Sequence, residues 1–276
     1  MKTYTLLDSG DLTKLEMVGG YKIIRPSLLS VYKKTNESLW ENPDAIFYKN
    51  ENGGRWKFFT DIPDSFSITV SNLTVKIKFT PFGHLGLFPE QEQNWNFIRK
   101  ISQKKKNLEV LNLFAYSGLS TLACLESGFS VCHVDASKGM VDWAKENSQL
   151  SSLSEKKVRW IVDDVSKFLK REIRRGKKYE GFILDPPTFG RGSKGEVWKI
   201  ENDLIPLLDL CMELCQSRPE FVILSCHTNG FSPKNLERIL ESMILSKGSY
   251  AFSELLISEK SGRAMPSGST ASFLQG

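Results

Sequence analysis

The chain has 276 residues, a formal net charge of +5 and 40% apolar residues. That length can bury a sizeable core in one large domain or two modest ones, and the mildly basic balance allows a polyanionic partner without requiring one. No run approaches the ~18 apolar residues of a membrane span, MKTYTLLDSG lacks the apolar centre of a secretion signal, and five cysteines with no CxxC pair beside three histidines give a metal site little support.

Residues 1–80 read as a small β-rich domain. YKIIRP (21–26) and AIFYKN (45–50) lead to a tight turn at ENGG (51–54), and RWKFFT, FSITV and LTVKIKFT follow as successive strands. Pro26, Pro43, Pro63 and Pro81 interrupt any helical pattern. Residues 81–107 read as a loop, PFGHLGLFPEQE, and a linker helix through QNWNFIRKI.

From 108 to 276 strand and helix alternate. EVLNLFA (109–115), SVCHVDA (130–136), VRWIVDD (158–164), YEGFILDPP (179–187) and EFVILSCHT (220–228) are strands. Helices are expected over 118–128, 137–150, 166–176, 202–216 and 232–246. FSELLIS and STASFLQ close the chain as two strands with no helix between them, which suits a hairpin at a sheet edge. Near-continuous apolar strands each followed by a helix predict an α/β domain: a doubly wound, Rossmann-like parallel sheet covered on both faces. Its ligand belongs beyond the C-terminal strand ends, where strand order reverses.

Polar residues at successive strand ends carry the chemistry. Asn112 and the turn Phe114-Ala115-Tyr116-Ser117-Gly118 follow the first strand. Small residues there let the backbone approach a ligand, but GxGxxG is absent, which disfavours a wrapped pyrophosphate. The second strand ends at Asp135, with Ala136 and Ser137 beside it; an acid at that distance can accept from both ribose hydroxyls. The third ends at Asp163-Asp164, where an acid and the next backbone N–H, at Val165, can meet adenine. Either acid can equally be a helix N-cap. The fourth ends in Asp185-Pro186-Pro187-Thr188-Phe189, a rigid turn with an aromatic available for stacking. Together these describe a nucleoside site without a phosphate grip, which suits S-adenosylmethionine (SAM).

NLFAYSG, HVDASKGMVDWAKEN, WIVDDV and DPPTFGRG also occur in an order that resembles the bacterial large-subunit ribosomal RNA methyltransferases that modify cytosine C5 or guanine N7. The resemblance covers about residues 80–276 and implies a class I SAM-dependent methyltransferase. It implies that Phe114, Ala115, Tyr116, Ser117 and Gly118 line the methionine part of SAM, Asp135 holds the ribose, Asp164 and Val165 hold adenine, and Asp185 lies near the methyl group. Gly86, Leu87, Phe88, Glu90 and Gln91 match a family loop that reaches the cofactor, with Glu92 where the family has a basic residue. Family members carry a β-rich N-terminal RNA-binding module. The stretch GRGSKGEVWKIE (190–201) marks a distinct subgroup.

Two acceptor chemistries follow. Cytosine C5 needs a thiolate added at C6; Cys226, in Ser225-Cys226-His227-Thr228, stands at the matching strand end, and His227 can lower its pKa. Alternatively, Asp185 and Phe189 orient and stack a base whose nitrogen takes the methyl group directly. Cys211 and Cys215 read as core packing, and the basic run KFLKREIRRGKK (167–178) either tracks phosphates or is a solvated face. The leading expectation is an enzyme methylating a base in ribosomal RNA; a methyltransferase for a protein or small molecule, and a non-catalytic SAM- or RNA-binding protein, are the alternatives. A reducing cytoplasm is the expected address. The protein is expected to work without a metal or a membrane, as a monomer or homodimer.

Overall fold

A computed structural model describes residues 3–50, 53–191, 195 and 197–276. The first two residues of the ENGG turn, and residues 192–194 and 196 of the 190–201 stretch, lie outside the described residues. The chain divides into two compact units, one of residues 1–90 with 256–267, the other of 91–255 with 268–276.

The first unit holds β1 (Tyr4–Gly10), β2 (Thr13–Val18), β3 (Tyr21–Pro26), β4 (Ala45–Asn50) and β5 (Gly53–Phe58) in one sheet of that order. A separate hairpin pairs β6 (Ser65–Val70) with β7 (Leu73–Lys78). β1 and β2 carry no clean sequence signal. The register shifts between Leu6 and Asp8, and polar Asp8, Ser9 and Glu16 take buried positions, so the apolar alternation that marks a half-buried strand is broken. Glu16 is instead paired: Arg25 donates from Nε and Nη2 to its two oxygens at 2.6 and 2.7 Å, and Tyr4 donates at 3.0 Å.

The second unit contains α1 (Glu92–Lys104), β8 (Glu109–Leu113), α2 (Leu119–Glu126), β9 (Ser130–Asp135), α3 (Lys138–Leu150), β10 (Val158–Val162), α4 (Val165–Arg174) and β11 (Gly181–Leu184). A two-stranded ribbon follows, β12 (Phe189–Arg191) with β13 (Val197–Lys199), where the sequence suggested only a turn. Then come α5 (Ile200–Cys215), β14 (Phe221–Cys226), α6 (Pro233–Met243), β15 (Gly248–Ser258) and β16 (Ala264–Gln275).

The main sheet runs β10-β9-β8-β11-β14-β16-β15, parallel from β10 to β14 and antiparallel between β14 and β16. This is the expected doubly wound α/β sheet with an added edge hairpin. After β8 the chain builds outward to β10, then returns to place β11 on the other side of β8, so the order reverses between β8 and β11, the point where sheets of this kind bind their ligands.

The strands are apolar on both faces because helices cover both. Leu111, Leu113, Val134, Phe182, Leu184, Val222 and Leu224 pack with Phe168, Leu169, Leu204, Leu208, Leu236 and Leu240 from α4, α5 and α6. Cys211 belongs to that core, as its sequence setting suggested. The residues between them on the strands turn the other way.

Removing Glu16 should strand a buried guanidinium. Burial alone would raise the Glu16 pKa, but Arg25 and Lys14 outweigh it and hold the carboxyl at about 2. We expect Glu16→Ala to cost about 3–5 kcal/mol of unfolding free energy by chemical denaturation. The wild-type contribution should be present above pH ~4.5 and fade as pH falls towards 2, since the folded pKa lies below the unfolded one.

Candidate active site

The turn after β8 is built on unusual backbone. Phe114 and Tyr116 have φ of 54° and 48°, and Gly118 has φ of 91°. Such conformations cost of order 1–3 kcal/mol at non-glycine residues and collect at ligand-binding sites. Local bonds hold them: Ala115 N–H donates to Val134 at 3.1 Å, Gly118 N–H to Ala115 at 3.0 Å, and Asn147 donates to the Ser117 carbonyl at 2.9 Å. The Tyr116 ring meets Trp143 at 5.9 Å. Gly118 is required for space as well as for φ, because a Cβ there would lie 2.7 Å from the Ala144 Cβ of α3.

Asp135 ends β9 facing this turn. Its two oxygens accept from the backbone N–H groups of Tyr116 and Ser137, each at 2.9 Å. Burial dominates and raises its pKa, while those two bonds work against the shift. Ala136 and Ser137 beside it are exposed. At the end of β10, Asp164 caps α4 by accepting from Lys167 N–H at 2.9 Å, the ordinary N-cap role, and Val165 is the first residue of the helix.

Asn112 takes a different place from the one expected of a cofactor contact. Leu111 and Leu113 face the α4–α6 core, so strand alternation turns Asn112 to the other face. It is buried there and donates to Thr121 at 2.9 Å, and Thr121 bonds His133 at 3.0 Å. Asn112 therefore ties β8 to α2 beneath the turn. Burial pushes His133 down to about 3, which keeps its imidazole neutral.

At the end of β11 a polar network grips Asp185. Gln91 donates to Asp185 Oδ2 at 3.1 Å. Asn94 of α1 donates to Gln91 at 2.7 Å and to Ser225 at 3.1 Å, and Thr270 of β16 donates to Asn94 at 3.3 Å. His227 Nε2 stands 3.5 Å from Asp185 Oδ1. Its ring lies over Gly268, where a Cβ would come within 2.8 Å of Nδ1. Pro186 is buried, while Pro187 and Phe189 are exposed. The Trp198 indole donates to the Pro187 carbonyl at 2.7 Å and packs on Phe114 at 4.9 Å, so the β12–β13 ribbon braces the Asp185 turn against the Phe114 turn.

Cys226 does not meet the expectation of a thiol activated by His227. Alternation along β14 sends Leu224 and Cys226 into the α4–α6 core and Ser225 towards α1. Cys226 is 1% exposed, and burial raises its thiol pKa. His227 faces Asp185 instead. A buried thiol of raised pKa is a poor nucleophile.

Asn94, Thr270 and Trp198 were not singled out from the sequence, and Ser225 only as a neighbour of Cys226. Asn94 had a usable signal: with Gln91, Trp95 and Ile98 it falls on one helical face, and a polar residue in such a stripe needs a partner. Phe88 lies in the first unit, half-buried and edge-on to His84 at 5.3 Å. Among the described residues no cluster of ligating side chains suits a metal ion, and no helix is long and apolar enough to cross a membrane.

A solved SAM-dependent methyltransferase from Agrobacterium tumefaciens superposes with a TM-score of 0.91 and 33% identity, covering 99% of this chain and 90% of that one. The chain belongs to the SAM-dependent methyltransferases. A second solved methyltransferase, complexed with S-adenosylhomocysteine, shares the fold at a TM-score of 0.76 and 18% identity, over 99% of this chain and 76% of that one. No family model matches this methyltransferase. In sequence it is 31% identical, over 150 residues, to the ribosomal RNA large subunit methyltransferase K/L of Shewanella sp. strain MR-4; the match covers 53% of this chain and 21% of that protein. It is 26% identical, over 156 residues, to the ribosomal RNA large subunit methyltransferase K of Neisseria meningitidis, covering 56% and 43%. This methyltransferase thus spans less than half the length of these curated relatives.

The site fits the cofactor of its family. A strained backbone turn beside a half-buried carboxylate suits an adenosine carrying no phosphate, and only glycine has both the φ and the space needed at position 118. Gly118→Ala should lower unfolding free energy by about 2 kcal/mol or more, from the left-handed φ and the clash with α3. It should weaken S-adenosylhomocysteine binding measured by calorimetry. Gly139→Ala, where an added Cβ meets nothing closer than 3.9 Å, should do neither.

Proposed function

We propose that this methyltransferase transfers the methyl group to a nitrogen of a base in ribosomal RNA, using the Asp185–Phe189 turn and not the Cys226 thiol. The observation that carries the nitrogen reading is the setting of Asp185: fixed by Gln91, beside His227, on a proline-stiffened turn next to exposed Phe189, while Cys226 faces the core. The RNA substrate class rests on the ribosomal RNA methyltransferases that share sequence with residues of this chain. The five cysteines are all free, as a reducing cytoplasm would leave them.

In this reading Phe114–Gly118 cradle the methionine part of SAM, Asp135 accepts from the ribose hydroxyls, and the Asp164–Val165 step meets adenine. SAM supplies an electrophilic methyl group on a sulfonium, whose sulfur keeps the bonding electrons when the methyl leaves. Phe189 stacks on the base, which must come from a loop or be flipped out to reach the turn. Asp185 accepts a hydrogen bond from the acceptor's N–H and aims the nitrogen lone pair. As the N–C bond forms, the displaced proton passes to the Asp185–His227 pair. Gln91, held by Asn94 and Ser225, fixes the carboxylate so that little reorganisation is needed.

Tritium from labelled SAM should enter total RNA and not protein; label confined to protein would refute the RNA substrate. Cys226→Ala should keep transfer to RNA near the wild-type rate, and Asp185→Ala should reduce it by about 100-fold or more. A cysteine variant without activity but with normal stability would return the C5 mechanism.

Asp135 makes cofactor binding depend on pH. Its carboxyl pKa is raised in the free protein, and hydroxyl donors from a ribose would lower it again, so binding favours the ionised form. S-adenosylhomocysteine affinity should therefore rise with pH through the acidic range and level off above the free Asp135 pKa, whereas Asp135→Asn should show a weak, flatter profile by calorimetry.

A further inference from the structure

We propose that Trp198 couples the two halves of the site, so that a cofactor held by the Phe114 turn stiffens the turn that receives the acceptor. The acceptor half rests on the reading of residues 185–189 just proposed.

The β8–β11 ladder ends at the pair Leu113–Leu184, one residue short of Phe114 and of Asp185. Beyond that pair the two turns are no longer partners in the sheet, and Trp198 spans them. In the β12–β13 ribbon Phe189 pairs with Lys199, Gly190 with Trp198 and Arg191 with Val197. Alternation puts Phe189, Arg191, Val197 and Lys199 on one face, and all four are exposed. Gly190 and half-buried Trp198 share the other face. Trp198 is therefore the large side chain that the described ribbon turns inward.

Its two contacts differ in kind. The ring packs on Phe114, centroids 4.9 Å apart, where the strained turn begins with φ of 54°. The single N–H donates to the Pro187 carbonyl at 2.7 Å. An indole has one donor on a rigid ring set by two side-chain torsions, so ring and donor cannot move separately. The chain just after Pro187 is held as well: Ile200 N–H donates to the Thr188 carbonyl at 3.1 Å, and the Thr188 and Thr228 hydroxyls bond at 2.6 Å. Phe189 thus follows closely on a carbonyl whose position Trp198 sets. A methionine moiety lodged in the Phe114 turn restricts the Phe114 ring, and through it the indole and the Pro187 carbonyl. Order imposed by the first ligand lowers the ordering cost left for the second, which is positive coupling without a change of shape. Such coupling is reciprocal and typically about fivefold or more. Trp198 is then a positioning residue for the acceptor.

The test is amide hydrogen exchange, read residue by residue, with and without S-adenosylhomocysteine, in the wild type and in Trp198→Phe. The phenyl ring keeps an aromatic face for Phe114 and lacks the N–H. In the wild type the ligand should slow exchange at 115–118 and, by about fivefold or more, at 188–191 and 198–200. In Trp198→Phe it should bind with near wild-type affinity, still slow the first group and leave the others unslowed. Methyl transfer to total RNA should show a raised KM for RNA at an unchanged KM for SAM, a split that lost stability alone would not produce. A ligand that slows only 115–118 in the wild type would overturn the coupling. Equal slowing at 188–191 in wild type and variant would also overturn it, because contact with the ligand itself would then explain the protection. If Trp198→Phe does not fold, the indole N–H of wild-type Trp198 decides: the ligand should slow its exchange, and unchanged exchange overturns the proposal. None of these results touches the acceptor turn, which falls instead if Asp185→Ala transfers methyl groups to RNA at the wild-type rate.

Discussion

Each side chain on a buried parallel strand must point to one of two covered faces, and one step along the chain changes the face. Most of the site follows from that constraint. On β14 it sends Cys226 into the apolar core of α4, α5 and α6 and sends Ser225 towards Asn94 of α1. On β8 it hides Asn112 beneath the turn that the next residues build. At the end of β11, Leu184 takes the core face and Asp185 turns to Gln91, which places the acid opposite His227.

The second organising feature is the reversal of strand order between β8 and β11. It brings the Phe114 turn and the Asp185 turn, some seventy residues apart in sequence, to adjacent strand ends. The ribbon β12–β13 joins them, because Trp198 bonds one turn and packs on the other. Both turns are held by hydrogen bonds from neighbouring strands and helices.

Charge placement follows a similar economy. Buried and half-buried acids are paired or hydrogen-bonded: Glu16 with Arg25, Glu172 with Arg159 and Tyr179, and half-buried Asp135 with two backbone N–H groups. Isolated buried carboxylates would be costly.

The doubly wound sheet, its edge hairpin and the strand-end acids were legible in the sequence because buried parallel strands and amphipathic helices have distinct apolar periods. The strands β1 and β2 were not, since a register shift and buried polar side chains erase the period there. The sequence by itself determined the doubly wound α/β fold, the turn after β8 and the presence of Asp185 at the end of β11. Only the tertiary structure decided what holds Asp185, which way Cys226 points and that Glu172, the acid within the basic run, is buried. These depend on contacts between residues far apart in the chain, and spacing along one strand or helix carries no record of what packs against it.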